Sequence, residues 1–312
     1  MVSRDSVGQA QSTAERPLYA CIEAGGTKWN LAVACERSAL LRTARVATTT
    51  PVATIGESLA FFDAARSELG PIAAIGIASF GPLDIDRASP NWGHILRTPK
   101  PGWTGADVVT PFTDALGCPA GLDTDVNGAA LAEGLWGAAR GCRSATYVTV
   151  GTGIGGGALI GGHTLRGHGH PEMGHIAVHR HPEDDFAGSC PFHGDCLEGV
   201  ANGPAINARW GCSLSELPED HPGRAIIAYY LAQLAVGQLA MLASDRIVVG
   251  GGVLATPGLL ARIRAEAERL AAGYFGTRDF DALIVPPALG DDAGVLGALA
   301  LAMRVVGADT GA

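Results

Sequence analysis

The chain has 312 residues, of which 47% are hydrophobic and 17% charged, and it carries 44 glycines. This is the composition of a globular protein of two domains or one large one, with many tight turns and close backbone approaches. The net charge of −9 and a pI near 5.4 argue against a nucleic-acid-binding surface.

The first 17 residues are polar and lack an apolar core segment. They are expected to form a disordered tail rather than a signal peptide. An apolar run over Leu18 to Glu23 enters Gly25-Gly26, and Leu31 to Cys35 leaves it, which predicts a β-hairpin. Thr54 to Leu69 reads as a helix and Ile72 to Phe80 as a buried strand closed by Gly81-Pro82. Cys118 to Leu122 reads as a further strand, and Asp125 opens a helix to about Ala138.

Tyr147 to Val150 begins a second version of the opening pattern. It runs into the glycine-rich turn Gly151 to Gly157 and leaves through Ala158 to Ile160. The two strand–glycine turn–strand units lie about 130 residues apart, which predicts two related α/β domains facing each other across a cleft. Leu231 to Ala243 is apolar but holds Gln233 and Gln238. It is expected to be a buried helix, too short and too polar to span a bilayer. Arg246 to Val249 predicts a strand leading into Gly250-Gly251-Gly252. A helix over about Gly258 to Gly273, a strand over Ala282 to Pro286 and a final Ala/Leu-rich helix over Asp291 to Arg304 follow.

Three glycine turns thus follow strands. None has the spacing of a P-loop or of a dinucleotide fingerprint. Any one of them suits a plain hairpin. Together they suit backbone N–H groups presented to a nucleoside triphosphate, with Lys28 adding charge beside the first. The segment Asp123-Thr124-Asp125-Val126-Asn127 sits where a strand passes into a helix. A carboxylate there serves either as a helix cap or as the base that deprotonates an attacking hydroxyl. Asp123 is the weaker candidate because it lies within the strand.

Seven of the nine histidines fall between His163 and His193. Within this stretch His175, Cys190, His193 and Cys196 have the number, type and spacing of ligands for one tetrahedral ion, usually zinc. His179 and His181 are rival upstream ligands. The remaining cysteines, Cys21, Cys35, Cys118, Cys142 and Cys212, read as reduced thiols of a cytoplasmic protein. Glu172, His175 and Glu198 flank the cluster, either to support the metal ligands or to bind vicinal hydroxyls of a sugar.

Taken together these residues resemble the ROK family of sugar kinases and repressors, from about Tyr19 to Ala302. Glu23-Ala24-Gly25-Gly26-Thr27-Lys28 is similar to the family's ATP-phosphate motif, with Glu23 where Asp is common, as in the fructokinase branch. Asp123 to Asn127 is similar to the family's N-D-x-N motif. That places the catalytic base at Asp125 and the sugar ligand Asn at Asn127. Glu172-Met173-Gly174-His175 is similar to the E-x-G-H sugar segment, and Cys190 to Glu198 to the zinc knuckle, with His193 where many relatives carry Cys. Thr98-Pro99-Lys100-Pro101-Gly102-Trp103 looks like the corresponding run of bacterial fructokinases, and many glucokinases have an Asn ligand there instead.

The resemblance implies a two-domain, actin-like (ribonuclease-H-like) α/β fold, with an N-terminal domain over 18–121. A C-terminal domain over 122–312 would hold a zinc loop at 170–198, and its final helix would return to the first domain. It implies ATP, Mg²⁺ near Glu23 and a structural zinc. It also implies phosphate contacts from Gly25, Gly26, Thr27, Lys28, Gly151, Thr152, Gly153, Gly251 and Gly252, and sugar contacts from Gly81, Asn127, Glu172, His175 and Glu198. The expected activity is phosphorylation of fructose to fructose 6-phosphate by a cytoplasmic homodimer, without nucleic acid or membrane. A hexokinase acting on mannose or glucose is the nearest alternative. A sugar-sensing repressor is disfavoured, because about 17 residues before the first strand are too few for a helix-turn-helix.

Overall fold

The computed structural model describes residues 16–308 and Thr310, so nearly all of the tail expected over 1–17 lies outside the described residues. Three antiparallel strands open the chain: β1 (Leu18–Ala24), β2 (Lys28–Glu36) and β3 (Ala39–Ala47). Helix α1 (Pro51–Leu69) starts where the Thr50 side chain accepts the Ala53 N–H, with Pro51 in its first turn. It returns the chain to β4 (Ile72–Ser79), parallel to β1. A long excursion and the short α2 (Thr110–Leu116) lead to β5 (Ala120–Thr124), parallel to β4.

Helix α3 (Asp125–Trp136) then connects to a second antiparallel set, β6 (Ser144–Val150), β7 (Ile154–Ile160) and β8 (His163–Thr164). Helices α4 (Leu197–Ala201), α5 (Gly203–Trp210) and α6 (Pro222–Leu242) precede β9 (Arg246–Gly250), which is parallel to β6. Helices α7 (Leu259–Ala271) and α8 (Phe280–Leu283), strand β10 (Ile284–Val285) and helix α9 (Ala293–Val305) complete the chain.

The first sheet has the order β3-β2-β1-β4-β5 and the second β8-β7-β6-β9-β10. The two orders are the same topology, so the repetition visible in two hairpins extends to whole five-stranded units. This is the actin-like, ribonuclease-H-like arrangement.

Elsewhere the structure adds to or adjusts the expectations. β3, α2, α4 and α5 had no clear sequence signal. The strand expected over Ala282 to Pro286 begins instead as helix α8, because the Asp279 carboxylate accepts the N–H groups of Asp281 and Ala282 and starts a turn there. α6 is longer than the apolar run alone indicated: with 21 residues it has the length and hydropathy of a bilayer span. Its Ile227, Tyr230, Leu231 and Leu234 are nevertheless buried in the core of the second unit.

Strand β1 distributes its side chains with period two. Ala20, Ile22 and Ala24 join a core with Trp29, Phe62 and Trp103, while Tyr19 and Cys21 face α9. The last helix therefore packs on the first sheet, and glycines allow it to lie close. A Cβ at Gly76 of β4 would stand 1.7 Å from the Ala298 carbonyl oxygen, and one at Gly297 would stand 2.3 Å from the Gly128 backbone in α3. Both obstacles are backbone, which cannot swing aside. Gly76→Ala is expected to lower stability by about 1–3 kcal/mol, the usual cost of overpacking. It should appear as a lower urea midpoint, and an unchanged midpoint would refute the close α9–β4 contact.

Candidate active site

Strand β5 ends at Thr124, whose hydroxyl accepts the Asn127 N–H at 3.2 Å and so caps α3. With that task taken, Asp125 is the first residue of the helix and is free to line the cavities beside it. Its Oδ1 accepts the Val126 N–H at 2.9 Å. This bond and the positive end of α3 both favour the charged carboxylate. Burial opposes them and prevails, aided by the nearby carboxylates of Glu23 and Glu172, and Asp125 is pushed up to about 7. A carboxylate tuned near neutrality is suited to general-base work.

Asp123, two residues earlier, is fully buried and committed elsewhere. It accepts from Thr124 N (2.9 Å), Asn127 Nδ2 (2.8 Å), Thr164 Oγ1 (2.8 Å) and Arg166 Nη2 (2.7 Å). No lone pair is left to take a proton from a ligand. Arg166 and Thr164, which hold it, had no sequence signal beyond their polarity.

Two cavities meet at Asp125 and Val126. The larger, of about 830 Å³, is walled by Glu23, Lys28 and Asn30 on one side and by Gly250, Gly251 and Asp291 on the other. Leu254, Leu260, Pro286 and Pro287 supply an apolar wall suited to a planar base. Glu23 is raised by burial, against the Asn30 amide that donates to it at 2.7 Å and the charge of Lys28. Gly251 has φ of +93°, and a Cβ there would stand 2.5 Å from the backbone of Val150, so glycine is required on both counts. The size, the mixed walls and the acidic cluster fit a nucleoside triphosphate with a divalent cation.

The smaller cavity, of about 470 Å³, contains Gly81, Glu172, His175 and Glu198 together with Arg97 and Phe192. One Glu198 oxygen accepts the Ile154 N–H at 2.8 Å, and the other stands 4.0 Å from His175 Nε2. Glu172 is raised by burial and by Glu198, with His170 and His175 opposing. Carboxylates and imidazoles converging on a cavity of this size suit a polyhydroxylated ligand.

Behind this wall His175, Cys190, His193 and Cys196 bring four donor atoms within 4.8 Å of one another. His175 Nδ1 lies 3.5 Å from Cys196 Sγ and 3.8 Å from Cys190 Sγ, and His193 Nδ1 lies 3.7 Å from Cys190 Sγ. Bonds of about 2.0 Å to nitrogen and about 2.3 Å to sulfur put tetrahedral neighbours roughly 3.3–3.8 Å apart. The donor set therefore fits a tetrahedral ion. The knuckle turns through Gly194, whose φ is +67°, with Cys190 and Gly194 exchanging backbone bonds of 3.0 and 2.9 Å. His179 and His181 lie apart: His179 pairs its backbone with the Gln233 side chain, and the ring of His181 packs against Tyr229.

The remaining expected residues divide. Gly251 and Lys28 line the larger cavity, whereas Gly25, Gly26 and Thr27 form the β1–β2 turn at its rim, with Gly26 and Thr27 exposed. Lys100 reaches this turn and donates to Gly26 O at 2.5 Å. Gly151, Thr152 and Gly153 form the equivalent β6–β7 turn but line neither cavity, and neither does Gly252. Asn127 stands as a correction. It is fully buried, its Nδ2 donates to Asp123 at 2.8 Å and its Oδ1 accepts the Ala158 N–H at 3.3 Å, so its amide does not reach the sugar-sized cavity. Trp103 of the Thr98–Trp103 run is a core residue, bonded through Nε1 to Thr49 O at 2.8 Å and packed edge-on against Phe80.

The profile of the ROK family matches residues 19–305. The chain belongs to the ROK family. A fructokinase of Zymomonas mobilis is 52% identical over 93% of this chain and 97% of its own length. A putative fructokinase of Bacillus subtilis is 40% identical over 92% and 96% respectively. Among solved structures, a ROK hexokinase from Thermus thermophilus superposes with a TM-score of 0.75 at 28% identity, over 93% of this chain and 99% of that one. A ROK family glucokinase from Streptomyces griseus in complex with glucose and AMPPNP gives 0.68 at 25% identity, over 92% and 99%. In this ROK chain the two cavities thus sit in the framework of a sugar kinase.

Proposed function

We propose that this ROK protein is a fructokinase that transfers the γ-phosphate of ATP to the 6-hydroxyl of fructose. The observation that carries this reading is Asp125, a single carboxylate on the wall shared by a nucleotide-sized and a sugar-sized cavity. Fructose would lie in the smaller cavity against Glu172, His175 and Glu198, with its 6-hydroxyl at Asp125. Asp125 takes the hydroxyl proton as the oxygen attacks the γ-phosphorus. The bond to the ADP oxygen breaks, and fructose 6-phosphate and ADP leave. Lys28 and Gly251 would face the phosphate chain in the larger cavity, with the Gly25–Thr27 turn at its rim.

Glu23, with Asp125 and Asp291 beside it, is the group suited to hold hydrated Mg²⁺, which offsets phosphate charge when bound. Zinc on His175, Cys190, His193 and Cys196 would take no part in the transfer. It would fix the His175 ring through Nδ1 and leave Nε2 facing the cavity.

Fructose is favoured by the relatives named fructokinase and by the Thr98–Trp103 run. The second reading, a hexokinase for mannose or glucose, draws on the structural neighbours named hexokinase and glucokinase. The reading includes a domain boundary near residues 121–122, a homodimer and a cytoplasmic location. A coupled ADP-release assay across fructose, mannose and glucose tests it. The expected result is the highest kcat/KM for fructose, and a higher value for either aldose would replace fructose with that sugar.

A further inference from the structure

One buried ring at the sugar-sized cavity has no part in the transfer just described. His170 lies in the histidine-rich segment but outside the metal cluster, and its side chain is only 7% exposed. Its Nε2 is 3.0 Å from the Leu83 backbone N–H, which must donate, so Nε2 is unprotonated and accepts. The ring proton therefore sits on Nδ1, which faces the Pro171 carbonyl at 3.4 Å and Glu172 Oε1 at 3.5 Å. The ring also lies close to Gly81, where an added Cβ would stand 3.2 Å from His170 Cε1.

Two segments far apart in sequence meet on this imidazole. One is the Gly81–Leu83 corner that follows β4. The other carries Glu172 and leads to His175. Both contribute to the smaller cavity. The corner is otherwise attached through Phe80 N to Ala24 O (2.7 Å) and Leu96 N to Pro82 O (2.7 Å), bonds that do not reach the Glu172 segment. Leu83 is itself buried, and the described protein atoms offer its N–H no partner but this ring.

We propose that His170 is a positioning residue for the sugar. It joins the Gly81 corner to Glu172 through a fixed Nδ1–H tautomer and so sets the width of the smaller cavity and the direction of the Glu172 carboxylate. This deepens the fructokinase reading and rests on it. The nucleotide cavity does not include His170, so its effect is confined to the sugar side.

A pair of conservative variants tests this. His170→Gln places an amide oxygen where Nε2 stands and can still accept from Leu83. His170→Asn places its oxygen where Nδ1 stands and cannot reach Leu83. With the wild-type chain as reference, His170→Asn is expected to raise the KM for fructose about tenfold, with the KM for ATP within about twofold. His170→Gln should recover part of the fructose KM, because it restores the Leu83 bond but not the Nδ1–H toward Glu172. Equal fructose KM values for the two variants, or parallel rises in the KM for fructose and for ATP, would overturn the assignment. Failure of the wild-type chain to phosphorylate fructose would sink the reading of the site and this inference with it. Wild-type turnover with unresponsive variants would sink the inference alone. Thermal melting of all three proteins accompanies the kinetics. A variant whose fructose KM falls in line with its melting temperature, rather than with its ability to accept from Leu83, also counts against the assignment.

Discussion

Asp125→Asn is expected to reduce kcat for fructose by about 10²- to 10⁴-fold, the range for loss of a general base. The substitution preserves size, and Thr124 rather than Asp125 caps α3, so the helix start should survive. ATP affinity should change little, because Lys28, Gly251 and the apolar wall of the larger cavity are untouched. Turnover of fructose near the wild-type rate would remove Asp125 from the role of base.

The same carboxylate sets two pH dependences. Only the ionised form accepts a proton, so wild-type kcat/KM should rise with pH through about 7, where burial has placed Asp125. Stability runs the other way. A carboxyl raised on folding binds more protons in the folded than in the unfolded chain between its ordinary value near 4 and about 7. Its favourable contribution is present below that window and is lost as pH rises through it. Asp125→Asn should therefore melt higher than wild type at pH 8, and the gain should shrink toward pH 4. A variant less stable than wild type at pH 8 would contradict the burial of an unpaired carboxylate at this position.

Removal of the metal should have the second large effect. One zinc per chain is expected on metal analysis, and Cys190→Ser or Cys196→Ser should release it and lower the melting temperature, since metal binding is coupled to ordering of the loop. The functional consequence follows from His175, which offers Nδ1 to the donor cluster while its other nitrogen faces Glu198 across the smaller cavity. Pro191, Phe192 and His193 of the knuckle form part of the same wall. Loosening that wall displaces the sugar relative to Asp125, and small misplacements cost on the order of 100-fold in rate. Chelated enzyme in excess Mg²⁺ should lose roughly that factor in kcat/KM for fructose and regain it with zinc, with sugar-independent ATP hydrolysis changing much less. Full zinc occupancy in both serine variants would dismiss the ligand set. Identical fructose kinetics with and without zinc would confine the metal to holding the loop.

Much of this protein is written locally. Hairpins closed by Gly25-Gly26 and by Gly151–Gly153, buried strands ended by glycine and the capped start of α3 all depend on residues close together in sequence. The four donors of the metal cluster are legible because three of them come from one seven-residue knuckle and their chemistry is restrictive. Motif resemblance singled out Asp125 and the glycine turns for the same reason, and of the glycines it pointed to, Gly251 lines the larger cavity.

Other features depended on contacts between distant segments. Asp123 and Asp125 have the same side chain two positions apart. Only the packing of Thr164 and Arg166 onto Asp123, and the emptiness beside Asp125, separate an internal anchor from a candidate base. Asn127 looked like a ligand because its neighbours do, yet β7 approaches α3 closely enough to take its amide into the interior. His170 was one histidine among seven in its stretch, and its task appears only where Leu83 meets it from 87 residues away. The equivalence of the two sheets rests on parallel pairings of β4 with β1 and of β9 with β6, which join strands separated by long connections. Sequence pattern thus determined which segments turn, cap and gather metal-type donors, since those properties depend on short-range geometry. Tertiary structure decided which carboxylates and imidazoles remain free for a ligand, because a polar side chain's role is set by the partners that reach it first.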